Sequence, residues 1–330
     1  MSNSSNSKGR AYEYAWIQVL SDELHKLRKT VLIENSSLIA NKKAWDSLDV
    51  EERRNYVISA TAAVRTIFEL EPLISENSND ELLLEFQKDK NGEQGDVRDI
   101  VIKRDQIAWE VGLSVKHNHN AAKHSRLGKS LDFGKKWYKN PCSNNYWHST
   151  KAIFDILQKA KDSNTKWSDI SNKDTTVYKP ILEAFVEEVQ YAYSKDKSLP
   201  RKLLEYIIGI KDYYKVVSHD SKRLTLIHSF NVHGSLNKPS KNVISTITVP
   251  LVDLPTELVA VKFAKDKKGK ERNNTIEMYL NNGWQLSFRL HNASSKVETS
   301  LKFDIQFVGL PPSVVCIECK WDSKSPFPCC

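Results

Sequence analysis

The chain has 330 residues, of which 40% are hydrophobic and 27% charged, and its net charge is +8. This composition is typical of a globular protein and excludes a disordered or fibrous chain, while the positive charge suits a polyanionic partner. No run of about 18 apolar residues is present, which excludes a transmembrane helix. The Ser/Asn-rich start lacks the apolar segment of a secretory signal, so we expect a cytoplasmic protein without a membrane partner.

Two helices are predicted near the start of the chain. Apolar side chains at spacings of three and four indicate a helix over residues 11–29, with Glu13 on its inward face one turn before Ile17. The carboxylate of Glu13 could extend toward a metal ion, or it could be favoured there by the helix dipole alone. The second helix begins at the capping-box-like sequence after Asp49 and continues to Phe68.

Three strands are predicted next from apolar runs bounded by turn residues, at residues 82–88, 96–103 and 107–117. The sequence Asn91-Gly92-Glu93-Gln94-Gly95 is typical of a turn between the first two strands. A shorter turn at residues 103–106 would join the last two. Antiparallel pairing about that shorter turn would place Asp99 opposite Glu110, or one residue from it.

The last of these strands carries the groups needed to hydrolyse a phosphodiester. Glu110, Gly112, Ser114 and Lys116 share one face, because strand side chains alternate with period two. Neighbouring carboxylates from Asp99 and Glu110 would suit a hard divalent ion. We therefore predict these two acids as metal ligands. Lys116 would stabilise charge on the phosphoryl group and orient the attacking water, although a lysine at a strand end can also serve to prevent aggregation.

Other roles are open for the acids of this segment. Asp96, three residues before Asp99, is a rival metal ligand that could still belong to the turn. A lone carboxylate such as Glu110 in an apolar strand is costly unless it is paired. Its structural alternative is a salt bridge to Arg98 or Arg104.

Residues 111–140 form a basic segment with seven Lys/Arg, three His and a single acid. We predict that residues 118–160 are mainly helical, which would place His119, Lys123 and Arg126 on one face toward phosphates or base edges. The contiguous His117-Asn118-His119 is not the dispersed pattern of an HNH nuclease, but metal binding by its two histidines is an alternative. The predicted DNA-contacting residues of this segment are His117, His119, Lys123, His124, Arg126 and Lys129.

The rest of the chain changes from a helical to a β pattern. Helices are predicted at residues 177–193 and 201–217. The strands predicted after them lie at residues 224–231, 243–251, 258–263, 275–280, 284–292, 300–308 and 314–321. Polar groups at their ends could contact guanine edges, and ordinary turn chemistry explains each of them equally well. The DNA-contacting candidates here are Trp284, Arg289, His291, Asn292 and Lys296.

The cysteines are too few and too unevenly spaced for a disulfide framework. Cys316 and Cys319, together with Cys329 and Cys330, could in principle bind zinc. The first two lie in an apolar strand-like run, however, and adjacent terminal cysteines chelate poorly. We therefore expect reduced thiols.

An acid before one strand, followed by an acid and a lysine on the next, is similar to the layout of the PD-(D/E)XK nuclease superfamily. The acid usually found two residues before the lysine is replaced by Ser114, so the second metal ligand must come from elsewhere. Longer segments resemble the HaeIII family of type II restriction endonucleases: Gly95-Asp-Val-Arg-Asp, Trp109-Glu-Val-Gly-Leu-Ser-Val-Lys-His-Asn-His, Lys123-His-Ser-Arg-Leu and Asn281-Asn-Gly-Trp-Gln-Leu-Ser-Phe-Arg. The resemblance implies Mg²⁺-dependent cleavage of double-stranded DNA at GGCC.

We therefore predict an α/β (α+β) protein with a PD-(D/E)XK-type core, a mixed sheet flanked by helices, in residues 1–160. A helical connecting region would occupy residues 161–223, and a β-rich DNA-recognition region residues 224–330. A palindromic site suits a homodimer, and a monomer that nicks each strand in turn is equally compatible. The alternatives are an HNH-type nuclease using His117 and His119, and a DNA-binding protein without catalytic activity.

Overall fold

A computed structural model describes residues 5–87 and 95–321. The chain forms two compact units. The first consists of Met1–Asn120, Gly209–Val252 and Pro312–Cys330, and the second of Ala121–Ile208 and Asp253–Pro311. This division differs from the three consecutive segments predicted from the sequence, because strands that are distant in the chain pair within each unit.

The described residues form eight α-helices and twelve strands. The helices are α1 (Ser5–His25), α2 (Ser36–Asp46), α3 (Val50–Leu70), α4 (Pro72–Ser75), α5 (Phe133–Tyr138), α6 (Asn144–Asp162), α7 (Lys179–Lys195) and α8 (Leu199–Ile208). The strands are β1 (Thr30–Leu32), β2 (Leu82–Phe86), β3 (Ile100–Arg104), β4 (Trp109–His117), β5 (Ala121–Gly128), β6 (Tyr213–His219), β7 (Leu224–Phe230), β8 (Leu258–Lys265), β9 (Glu271–Leu280), β10 (Gln285–His291), β11 (Ser300–Gly309) and β12 (Cys316–Lys320).

The first unit is built on a mixed sheet of seven strands in the order β1-β2-β3-β4-β6-β7-β12. The β1–β2 and β4–β6 pairs are parallel, and the other neighbours are antiparallel. Helix α1 packs against α2, α3 and β4. Its apolar side chains, including Trp16 and Leu20, are completely buried in the core. The predicted α/β class, with helices packed on a mixed sheet, is confirmed.

The second unit contains an antiparallel sheet in the order β5-β11-β10-β9-β8. One face is apolar and packs on the helices, where Trp137 and Phe185 contact Phe288 and Phe303. Because side chains alternate along a strand, the opposite face carries polar and basic residues. No helix in the described ranges is both long enough and apolar enough to cross a membrane.

The helices predicted at residues 11–29 and from Asp49 to Phe68 are confirmed as α1 and α3, and most predicted strands are found within a few residues of their expected ends. Helix α2 was not predicted. It begins after Asn35, whose side chain accepts a hydrogen bond from the Leu38 amide. The predicted turn at residues 91–95 lies mostly outside the described residues.

Three secondary-structure predictions are wrong. Residues 121–128 form β5 rather than a helix, because they pair with β11. The helix predicted at residues 201–217 ends at Ile208, before Gly209 with its positive φ of 89°. The residues after it form β6, which is inserted between β4 and β7. Residues 243–251 form no strand; the Asn231 side chain donates instead to the carbonyl of Val249 in this segment.

The buried Arg104 is expected to stabilise the first unit. Its guanidinium donates to both carboxylate oxygens of Asp80, at 2.7 and 2.9 Å, and to Glu76 at 2.6 Å. Hydrogen bonding to Arg104 is the main reason that the pKa of Asp80 falls to about 2. Arg104→Met leaves the buried Asp80 with Arg28 as its remaining charged partner, at 3.1 Å, so it should lower the free energy of unfolding by about 2–3 kcal/mol.

Urea unfolding followed by tryptophan fluorescence measures this loss. Lys29→Met is the matched control, because it removes an ion pair with Glu81 in which the lysine is 73% exposed. The control should leave the unfolding midpoint nearly unchanged. Equal midpoints for Arg104→Met and the wild-type protein would show that the buried network does not stabilise the unit.

Candidate active site

The pairing of β3 with β4 determines which acids meet. Lys103 pairs with Glu110, and Ile100 with Leu113. The Asp99 amide donates to the Leu113 carbonyl at 2.7 Å. The prediction that Asp99 lies beside Glu110 is therefore wrong. The connection is a 3₁₀ turn that closes at Ala108, which has a φ of 50°. The turn therefore lies about two residues later in the chain than predicted, and each residue of β3 lies opposite a β4 residue about four positions further along the chain.

This register brings Asp99 to the catalytic lysine candidate. Its Oδ2 atom accepts hydrogen bonds from Lys116 Nζ at 3.0 Å, from the Val115 amide at 2.7 Å and from Ser114 Oγ at 3.3 Å. These three donors converge on one carboxylate oxygen of Asp99. Asp99 and Lys116 are partly exposed, at 21% and 31%, and a substrate could reach them.

Glu13 is the candidate for the second acid of the site. Helix α1, which packs against β4, carries it, and the Asn41 side chain on α2 donates to its Oε2 at 2.9 Å. Burial, followed by the negative charge of Asp99, raises the pKa of Glu13 from 4.5 to about 8. Burial lowers the pKa of Lys116, but the carboxylates of Asp99 and Glu13 outweigh it, so the net shift is upward.

These residues fit a divalent metal ion. The carboxylates of Glu13 and Asp99 lie close enough for the charge of Asp99 to add to the burial that raises the pKa of Glu13, while Lys116 and Arg10 oppose the rise. Carboxylate oxygens are the ligands that Mg²⁺ prefers in proteins. Ser114 stands where the predicted nuclease layout has its second acid, and Glu13 on α1 is a candidate to take the place of that acid.

Asp96 and Glu110 hold Arg98 instead of approaching Asp99. The Arg98 guanidinium is 4% exposed and donates to both oxygens of Asp96, at 2.7 and 2.9 Å, and to Glu110 at 3.1 Å. Lys211 donates to the same Glu110 oxygen at 3.0 Å. Glu110 thus forms a salt bridge with Arg98, which is the structural alternative predicted for it.

A glycine makes this arrangement of Arg98 possible. A Cβ atom on Gly112 would come within 2.0 Å of Arg98 Cδ, so only glycine lets the arginine cross β4. Arg98 directly precedes Asp99 in the chain. Its buried ion pairs therefore hold the backbone in place immediately before the candidate metal ligand. The sequence predicts Arg98 only as a salt-bridge partner of Glu110. Gly112, a glycine within an apolar strand, is the sequence signal that another side chain passes close to the strand at this point.

His117 is held by protein groups. Its Nε2 lies 2.8 Å from Asp220 Oδ2 and its Nδ1 lies 3.3 Å from the Tyr56 hydroxyl. Its ring also packs against Tyr12 at 5.2 Å between centroids. With both ring nitrogens engaged, His117 is poorly suited to the metal ligation that an HNH-type site requires.

The helix prediction required the basic residues of this segment to share one face, but on β5 they do not. Lys123 donates to the Tyr206 carbonyl at 2.7 Å and lies over the Tyr206 ring. Burial, followed by the charge of Lys136, lowers its pKa to about 8. His124 and Arg126 lie on the opposite, exposed face. The strand therefore separates side chains that a helix would have aligned.

Several other predicted DNA contacts have structural partners. Trp284 is completely buried and its Nε1 donates to the Asp253 carbonyl at 2.9 Å, so the prediction that it contacts DNA is wrong. Asn292 donates to the carbonyls of Ser294 and Lys296, which is ordinary turn chemistry. Lys129 pairs with Asp155 at 2.7 Å on the surface. Arg289 and His291 lie on β10, on the polar face of the second unit's sheet.

The described cysteines do not form a zinc site. Cys316 is exposed and Cys319 is buried. Three residues apart on β12, they point to opposite faces of the strand. Cys329 and Cys330 lie outside the described residues.

A mixed sheet with an acid before one strand, and a lysine on the next, is the arrangement expected of a nuclease core. Residues 9–311 match the HaeIII restriction endonuclease family. The chain is also 45% identical to the type II restriction enzyme HaeIII of Haemophilus aegyptius over 323 residues, 98% of this chain and 100% of that protein. The chain therefore belongs to the HaeIII restriction endonuclease family, as the sequence resemblance predicted. No solved structure matches it.

Protonation of Glu13 should make the stability of the metal-free protein depend on pH. Its pKa is raised in the folded state, so the folded protein binds a proton that the unfolded chain releases. The stability this provides is complete below about pH 4.5 and is lost as pH rises to about 8. We expect Glu13→Gln to flatten the fall in melting temperature across this window. We also expect Mg²⁺ at pH 8 to raise the melting temperature of the wild-type protein but not of Glu13→Gln.

Glu71→Gln is the matched control for this prediction. Burial also raises the pKa of Glu71, to about 7, but its carboxylate accepts hydrogen bonds from Tyr214 and Asn237. The control should change the pH dependence and keep the response to Mg²⁺. A Glu13→Gln protein that Mg²⁺ stabilises as strongly as the wild type would exclude Glu13 as a ligand.

Proposed function

We propose that the protein is a type II restriction endonuclease that hydrolyses double-stranded DNA at GGCC, with Mg²⁺ held by Asp99 and Glu13. The observation that carries the mechanism is the 3.0 Å contact between Lys116 and Asp99, near the partly buried Glu13. The GGCC sequence is what the family resemblance implies. The extent of the match to the relative from Haemophilus aegyptius, over 98% of the chain, supports it.

Each side chain of the site has a role that its contacts support. When bound, Mg²⁺ supplies positive charge that stabilises the charge developing on the phosphoryl group. Asp99 fixes the position of the Lys116 ammonium group, whose raised pKa keeps it protonated at neutral pH. The ammonium can then donate to the attacking water and to a phosphoryl oxygen. Asn41 holds one oxygen of Glu13, which orients the carboxylate.

The charge of the active-site residues favours metal-dependent chemistry over the two alternatives. An HNH-type site would need His117, whose ring nitrogens contact Asp220 and Tyr56. A binding protein without activity would not require Glu13 and Asp99 to lie close enough for the charge of Asp99 to raise the pKa of Glu13.

Removal of either member of the Asp99–Lys116 pair should abolish activity. We expect Asp99→Asn and Lys116→Met to lower the rate of plasmid cleavage in Mg²⁺ by about 10²–10³-fold or more, because each removes charge directly at the reacting group. Binding to a duplex that contains GGCC should remain measurable in a gel-shift assay.

The chain offers a closely matched control in Lys103→Met. The Lys103–Glu85 ion pair joins β3 to β2 and has the same side-chain exposures, 31% and 21%, as the Lys116–Asp99 pair. The control should cleave at close to the wild-type rate. Near wild-type cleavage by Lys116→Met would disprove the catalytic role of that lysine.

The sequence specificity is tested by digesting a sequenced plasmid in Mg²⁺ and mapping every cut end. We expect all cuts to fall within GGCC. Cuts at a different sequence would contradict the proposed specificity, and binding without any strand scission would favour a DNA-binding protein without catalytic activity.

A further inference from the structure

A buried acid lies in the middle of the polar face of the second unit's sheet. Asp304, on β11, has a side chain that is only 2% exposed, although it lies on the face opposite the apolar core. A buried carboxylate is costly unless charged or polar partners surround it.

Three donor side chains surround Asp304. Arg289 Nη2 lies 3.2 Å from its Oδ2, and Gln306 Nε2 donates to the same atom at 3.0 Å. His124 Nδ1 lies 4.0 Å from its Oδ1. The strand register places His124 and Arg289 directly opposite Asp304, one on each neighbouring strand. The buried acid therefore organises donors that come from three adjacent strands.

The donors themselves are accessible from solvent. Arg289 is 56% exposed and His124 is 45% exposed, whereas Asp304 below them is almost completely buried. Arg289 has five N–H donors in a planar fork, and its contact with Asp304 uses one edge. Asp304 thus limits the rotation of the Arg289 guanidinium. The remaining N–H donors of this half-exposed side chain are accessible to a ligand.

The adjacent row of the same face is positively charged. Arg126 on β5 and Lys302 on β11 lie directly opposite each other, and His291 on β10, whose pKa is lowered by burial, continues the row as a neutral donor. Like charges in directly opposed positions destabilise a sheet. Glu298 pairs with Arg126 at 2.8 Å and compensates for only part of this charge. A polyanion bound over the face would offset the remainder, which makes duplex DNA the partner that fits it.

We propose that Arg289, oriented by Asp304, binds the O6 and N7 atoms of a guanine in the recognition sequence, an inference that rests on the proposed function. Arginine binds this guanine edge in the major groove with two parallel hydrogen bonds, and β-sheets serve as DNA-reading surfaces in other folds. Asp304 is a positioning residue that does not itself contact the base. The row of Arg126, Lys302 and His291 contacts phosphates.

The experiment combines protein variants with a modified base. Binding is measured in Ca²⁺ by fluorescence anisotropy with a labelled duplex of about 20 base pairs that contains GGCC, and with copies in which 7-deazaguanine replaces one guanine at a time. For the wild-type protein we expect one such replacement in each half-site to weaken binding by about 10–100-fold. Arg289→Ala should weaken binding to the unmodified duplex by a similar factor and show no further loss with 7-deazaguanine.

Asp304→Asn tests the positioning role. It should reduce the ratio of affinities for GGCC and non-GGCC duplexes at least tenfold, while its melting temperature and its affinity for the non-GGCC duplex stay close to wild type. If Asp304→Asn does not fold, Arg289→Ala decides the question. The Arg289 side chain is more than half exposed, so its removal should leave the protein folded. The phosphate-contact control, Lys302→Gln, should weaken binding to both duplexes equally. It should also reduce the slope of the logarithm of affinity against the logarithm of salt concentration by about one.

The possible failures can be told apart. If the wild-type protein cuts at GGCC but Arg289→Ala still responds to 7-deazaguanine as the wild type does, the guanine contact is wrong and the proposed function stands. If Arg289→Ala lowers affinity for both duplexes equally, the arginine contacts phosphate and the inference is overturned. If the wild-type protein shows no preference for GGCC, the proposed function itself fails.

Discussion

The register between β3 and β4 is the constraint on which the candidate active site depends. It places Asp99 beside the segment from Ser114 to Lys116, so that one carboxylate oxygen receives an ammonium, an amide and a hydroxyl donor. A slip of one residue would send the side chain of Lys116 to the other face of the sheet. The turn that closes at Ala108 and the crossing of Arg98 over Gly112 both maintain this register.

Carboxylates serve two different purposes in this protein. Asp96, Glu110 and Asp304 lie against arginines, and each fixes the position of a guanidinium group. Glu13 lies instead near another carboxylate, and its pKa is raised first by burial and then by the charge of Asp99. Such a placement costs stability in the metal-free protein and favours binding of a cation. Local charge balance therefore separates structural acids from candidate ligands better than their positions in the sequence do.

The alternation of side chains across a sheet also accounts for the second unit. One face of the sheet buries aromatic residues against the helices, and the other collects charge in rows that the strand register defines. Residues predicted to contact DNA from a helical face, such as Lys123 and Arg126, are instead divided between the two faces. The two units thus carry different parts of the proposed activity, the hydrolytic groups on the mixed sheet and the donors for DNA on the antiparallel one.

The sequence alone determined the two long N-terminal helices, most strands and the family, and it singled out Asp99 and Lys116 as candidate site residues, because each of these depends on local periodicity or on a contiguous motif. It did not determine β5 or β6, whose residues become strands only by pairing with distant partners. Nor did it determine which acid joins Asp99. The candidate Glu13 depends on the packing of α1 against β4, and Glu110 is kept away from Asp99 because the turn closes about two residues later than its composition indicates. Contacts between elements far apart in the chain carry no periodic signal, so only the tertiary structure could decide them.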